Sequence, residues 1–157
     1  KDGAGRPVVC CDSAQCHGAG KRNSGPSRMK RVTQKKRTDC GVACVAMVAG
    51  VSYEDAKEAM GDAAHSRTQV ADLRRALGKL GYSLGHRSIP IAPERLRHLT
   101  FDCILKTKPG PKSGNWHWMV WDSRARKILD PQPKARAYNK TLERVSAYIQ
   151  IKNVGHP

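Results

Sequence analysis

The sequence predicts an α+β fold in which N-terminal helices pack on a C-terminal antiparallel sheet. Residues 40–80 carry apolar positions at helical spacing, punctuated by stop signals. Residues 82–152 break into short β-rich runs separated by Gly- and Pro-rich turns. No internal repeat disturbs that order.

Taken from the start, residues 1–28 are poor in apolar side chains and rich in Gly, Ser, Lys and Arg, so they read as a disordered basic tail ahead of a domain spanning 29–157. Cys10, Cys11, Cys16 and His17 match no common structural zinc spacing and read as incidental thiols and a histidine of that tail. The uncharged, proline-free run Val42 to Ala49 reads as a buried helix with Cys40 in its first turn. Ser52 with Asp55 three residues later has the form of a capping box opening a helix to about Met60, where Gly61 stops it. Val70, Leu73, Ala76, Leu77 and Leu80 recur on one face of a helix over about 68–80, with Arg74, Arg75 and Lys79 off that face and Gly81 as the stop. Tyr82–Ser88 and Phe101–Lys106 read as strands, and Pro93–Leu99 between them as a short helix begun by proline. Lys108–Gly114 is a turn-rich loop. Asn115–Trp121 and Arg126–Asp130 read as paired strands ended by Pro131-Gln132-Pro133. A short helix over 139–146 and a last strand over 147–152 complete the expectation.

Of the 157 residues, 39% are hydrophobic and 27% charged, the balance of a soluble globular chain, and no apolar run approaches the roughly 20 residues of a membrane span. Without a secretory h-region or a disulfide-like cysteine pattern, the chain reads as cytoplasmic and reduced. The net charge is +16, with a pI near 10.0. Residues 29–157 hold 24 basic against 11 acidic side chains, so the excess belongs mainly to the domain. That excess suits nucleic acid, an anionic surface or an acidic protein partner, and equally reads as a solvated surface biased to lysine and arginine. No helix-turn-helix, aromatic platform or finger spacing accompanies it, which argues against specific nucleic-acid binding.

The chemistry concentrates in two segments. In QKKRTDCGVACVAMVAG, Cys40 falls where the free N–H groups and dipole of a helix start stabilise a thiolate. Gly41 permits close approach of a backbone or substrate. Gln34 offers an amide N–H suited to a developing oxyanion. Cys44, one turn on, reads as core, as does Cys103. In NWHWMVWDSRARKILDP, pairing Trp121 with Arg126 places His117 opposite Asp130, close enough for a hydrogen bond that would fix the imidazole. Taken singly, each of these residues has an ordinary structural explanation. Together, Cys40, His117, Asp130 and Gln34 make a nucleophile, base, orienting acid and oxyanion donor. Asp122, at the loop end of the hairpin, is the weaker carboxylate. His65, His86 and His98 read as surface residues. Trp116 and Trp118 should point away from His117's face, and Met119 and Trp121 should share it.

The combination of Gln34, DCGVACVAMVAG from Asp39, HWMVW from His117 and ILDP ending at Pro131 resembles the bacteriocin-processing, double-glycine leader peptidases, a family of papain-like cysteine peptidases. The resemblance runs from about Val32 to Lys152. It implies a papain-like fold, a polypeptide substrate cut after small residues, and no metal or organic cofactor. It also implies roles: Cys40 the nucleophile, His117 the base and then acid, Asp130 the orienting residue, and Gln34 with the Cys40 N–H the oxyanion hole. In that family the peptidase is commonly fused to a membrane transporter with an ATPase domain; a peptidase-sized chain argues against leader processing coupled to export, and the basic charge suggests a different partner. On that reading Gly18-Ala19-Gly20 is a conceivable self-cleavage site. Two other functions fit the same residues: a non-catalytic basic binding module, and a glutamine deamidase or transglutaminase using the same thioester chemistry.

Overall fold

The computed structural model describes residues 29–134 and 136–153; the expected tail, its thiols and its Gly-Ala-Gly lie outside them. Three helices come first: α1 (Cys40–Ala49), α2 (Tyr53–Met60) and α3 (Val70–Lys79), with a 3-10 helix over Gly61–His65. Strands β1 (Tyr82–Leu84) and β2 (Ile89–Pro90), a 3-10 helix over Pro93–His98, β3 (Cys103–Thr107), β4 (Trp118–Asp122), β5 (Lys127–Leu129), a short α4 (Tyr138–Leu142) and β6 (Val145–Asn153) follow. The sheet is antiparallel, in the order β1-β6-β3-β4-β5, with β2 also paired to β6.

Local chemistry sets the helix ends. Ser52 Oγ accepts from the Asp55 N–H at 3.0 Å and opens α2. The Gln69 N–H donates to Asp72 Oδ2 at 2.8 Å and opens α3 two residues later than the spacing suggested. Gly50, at φ 68°, ends α1 in the left-handed conformation glycine adopts freely. The expected strand over 82–88 ends at Leu84, and β2 lies beyond its far end. Between them Arg74, reaching down from α3, donates to the carbonyl oxygens of Gly85 and His86, which therefore leave the ladder.

The sheet carries a core on each face. Ile104, Trp118, Val120, Leu129 and Ile149 pack with the three helices. Cys103, Leu105, Met119, Trp121 and Val145 pack with Leu96 of the second 3-10 helix on the other side. This explains why β3 and β4 read as nearly continuous apolar runs: both faces are covered. It also explains α1, whose residues Val42 to Met47 are no more than 2% exposed. Sheet, α2 and α3 surround it, so it needs no polar face.

The β4–β5 register differs from the expected one by two residues. Asp122 pairs with Lys127, Trp121 with Ile128 and Val120 with Leu129. The turn itself is the cause. Asp122 Oδ1 accepts from the N–H groups of Arg124 and Ala125 at 3.1 and 3.0 Å, which makes Asp122 the last strand residue. Arg126 then takes a left-handed φ of 55°. A two-residue slip preserves the face of every side chain, so His117 and Asp130 still meet, diagonally rather than directly opposed. Trp116 and Trp118 both pack on the helix-side core and Met119 and Trp121 on the other, as the alternation predicted.

Candidate active site

Cys40 is the first residue of α1 and 8% exposed. His117 lies one residue ahead of β4, and its backbone is held on both sides by Thr107. The His117 N–H donates to Thr107 Oγ1 at 2.8 Å, and its carbonyl accepts from the Thr107 N–H at 3.0 Å. The imidazole Nε2 is 2.7 Å from Asp130 Oδ1. The Cys40 side chain is the ring's other partner, acting on it strongly enough to raise its pKa; with Nε2 on Asp130, Nδ1 is the ring atom left for it. Sulfur, imidazole and carboxylate thus form one continuous chain, drawn from the helix tip, the start of β4 and the end of β5.

The electrostatics follow from that chain. Burial alone would push His117 down. The hydrogen bonds to Asp130 and Cys40, and the negative charge of both, outweigh it and raise the imidazole from 6.5 to about 9. Burial likewise pushes Asp130 up, but the His117 hydrogen bond, the Gln132 N–H and the charges of His117 and Arg31 hold it below its ordinary value. The balance biases the ring toward its cation at neutral pH. Cys44, one turn deeper, is pushed well above the ordinary thiol range by burial and then by the charges of Cys40 and Asp130.

Asp130 is held by a residue the sequence did not single out. Arg31 Nε donates to the Asp130 carbonyl at 2.7 Å, and its Nη2 reaches the Gln132 carbonyl. The Gln34 N–H donates to the Pro131 carbonyl at 2.8 Å. The segment before α1 is thus laid along the 130–132 turn. The signal for Arg31 was hidden inside the run KRVTQKKR, where every cation looks alike.

Gln34 is placed beside the Asp130–Pro131 turn, but its amide faces its own loop. Nε2 donates to Lys36 O at 2.8 Å and, weakly, to Arg37 O at 3.4 Å, while the buried Oε1 has no partner. Gly41 does allow a close approach. The group that fills the space is the side chain of Thr68: a Cβ added at Gly41 would lie 2.3 Å from Thr68 Oγ1. Asp39, just before Cys40, is buried and accepts from the Tyr53 hydroxyl at 2.5 Å rather than capping α1. Asp122 serves its turn, away from His117. His65, His86 and His98 are exposed. Among the described residues no group of three or more His, Cys, Asp or Glu side chains is placed to hold a metal, and no helix is long and apolar enough to cross a membrane.

No family model matches the chain, and no curated protein does. Solved structures do. A double glycine motif protease from an AMS/PCAT transporter, in complex with its leader peptide, superposes with a TM-score of 0.60 at 19% identity, over 83% of this chain and 96% of that one. The peptidase domain of Streptococcus ComA, a bi-functional ABC transporter of a quorum sensing pathway, gives 0.57 at 22% identity, over 80% and 99%. The helices ahead of an antiparallel sheet and superpositions that cover most of each chain agree on one conclusion: the chain adopts the papain-like α+β fold of double-glycine leader peptidase domains.

Proposed function

We propose that the chain is a cysteine peptidase that hydrolyses a peptide bond after small residues. The observation that carries this reading is the unbroken link from Cys40 through His117 to Asp130, with the imidazole held as its cation by the two groups that flank it. The double-glycine proteases whose fold it shares support the preference for small residues.

In this mechanism Cys40 Sγ, as thiolate, attacks the scissile carbonyl carbon. The carbonyl π pair moves to oxygen, and the oxyanion faces the Cys40 N–H and Gln34. To donate there, Gln34 gives up its long contact to Arg37 O at 3.4 Å and turns its amide out of its own loop. Collapse expels the amine, which takes the proton from His117, and leaves a thioester. Neutral His117 then draws a proton from water as the hydroxyl adds. Breakdown returns the thiolate and frees the new carboxyl terminus. Asp130 keeps Nε2 protonated and the ring aligned.

The test is labelling of the full chain at neutral pH with a peptide electrophile ending in Gly-Gly, mapped by mass spectrometry. Cys40 should carry the adduct, and His117→Ala should abolish it. Equal labelling of several cysteines, insensitive to His117→Ala, overturns the reading. Intact-mass analysis of a cut partner separates hydrolysis from deamidation, which adds one dalton without breaking the chain, and from cross-linking. Salt-sensitive binding without turnover would favour the binding module.

A further inference from the structure

One residue ahead of His117 begins a cluster of groups that all want the same partner. Trp116, the residue before His117, is half-buried, and two cations rest on its indole. Lys106 Nζ is 4.4 Å from the ring centroid and the Arg67 guanidinium carbon is 5.7 Å from it. Lys106 pairs across β3–β4 with Trp118 and so shares the helix-side face of the sheet with Trp116. Arg67 precedes Thr68, whose side chain abuts Gly41, the residue after Cys40. The cluster is therefore tied by sequence neighbours to both reacting side chains.

Among the described residues neither Lys106 nor Arg67 is paired with a carboxylate. The indole Nε1–H beneath them is buried and has no acceptor. Two like charges on one ring repel each other, and the ring face offsets only part of that. Every unmet group here is a donor or a cation, and among the described residues no ion pair or hydrogen bond supplies an acceptor.

We infer that this cluster is a specificity subsite for an acidic side chain of the substrate, close in sequence to the scissile bond. A Glu or Asp carboxylate would bridge the ammonium and the guanidinium at the rim of the indole while the backbone lies against Cys40. The inference rests on the peptidase reading and narrows its substrate class to acidic polypeptides.

The test uses decapeptides with a central Gly-Gly, each bearing one Glu at a different flanking position in a Gln background. At one position near the cut, Glu should raise kcat/KM over Gln by about five- to tenfold, the scale of two partly exposed ion pairs. In Arg67→Gln/Lys106→Gln that Glu-to-Gln ratio should fall to about one, and in the double Glu variant it should invert. Each ratio is internal to one variant, so a loss of fold or rate does not mimic the result. Should no decapeptide be cut, the same series is titrated into Cys40→Ala and followed by tryptophan fluorescence, with the same ratio expected. Equal Glu and Gln values at every position, or a Glu advantage that survives the double Gln variant, overturns the subsite. Failure of the peptidase reading appears separately, as absent Cys40 labelling.

Discussion

Gly41→Ala is a one-carbon change that tests how α1 is seated. The added Cβ would lie 2.3 Å from Thr68 Oγ1 and 2.7 Å from both Thr68 Cβ and Cγ2. All three atoms belong to one short β-branched side chain, 2% exposed, so rotation cannot relieve the contact. Its backbone is fixed as well, because the Thr68 carbonyl accepts from Trp118 Nε1 at 3.1 Å. Overpacking of this kind costs about 1–3 kcal/mol, and this site belongs at the top of that range. Against it stands the helix preference for Ala over Gly, about 1 kcal/mol. The net expectation is a loss of about 2 kcal/mol in urea unfolding. The helix tip must also move to escape, and a shift of about 1 Å at Cys40 is worth up to about 100-fold in rate, read as slower carbamidomethylation of Cys40. Thr68→Gly removes all three clashing atoms. In that background Gly41→Ala should stabilise by up to about 1 kcal/mol, so the substitution changes sign. If Gly41→Ala is neutral in both backgrounds, or loses as much with Thr68→Gly as without it, the packing argument fails.

Three further outcomes follow from the site. His117, raised to about 9 by Asp130 and Cys40 against its burial, must be protonated to expel the amine, so kcat/KM should fall above about pH 9. Asp130→Asn should move that limb downward and lower kcat/KM by about 10²–10⁴; a limb that stays in place refutes the assignment. The same shift has a stability sign: a raised folded value contributes fully below about 6.5 and is lost as pH rises through about 9, a decline in urea midpoint that Asp130→Asn should flatten. Arg31→Met frees the carbonyls of Asp130 and Gln132 and removes a charge that holds the Asp130 carboxyl low. It should cost about 1 kcal/mol and raise the pH at which acid destabilisation sets in. Arg31→Lys should recover the acid behaviour, being charged, but not the stability, lacking the fork; equal recovery of both would refute the bridging role. Cys44 and Cys103, fully buried with thiols pushed up first by burial, should resist iodoacetamide in the native chain while Cys40 reacts. Comparable native labelling of Cys44 would place it outside the core.

What the sequence disclosed and what it withheld follow different physics. α1 was readable because a helix buried on every side needs an uncharged run, and because its Gly50 end is written in local chemistry. The meeting of His117 with Asp130 was readable for a sturdier reason than its register. The expected pairing was off by two residues, yet the two side chains still meet, because facing in a sheet depends only on parity and the slip was even. The slip itself came from Asp122 accepting from the Arg124 and Ala125 N–H groups, a choice between two four-residue turns one residue apart, of which only the observed one has a carboxylate on the residue that enters the loop. Gln34 shows the opposite case. Its spacing from Cys40 marked it, but the direction of an amide depends on which carbonyls fold back to meet it, and those of Lys36 and Arg37 do. Arg31, Thr68 and the Lys106–Trp116–Arg67 cluster were silent for the same reason. Each acts on a partner distant in sequence, and nothing in its own neighbourhood distinguishes it from a surface cation or a helix cap. A charge run therefore hides two kinds of arginine. One closes its valences on protein carbonyls, as Arg31 does. The other rests on an aromatic face with no carboxylate partner among the described residues, as Arg67 does, and the proposed subsite is built on that second kind.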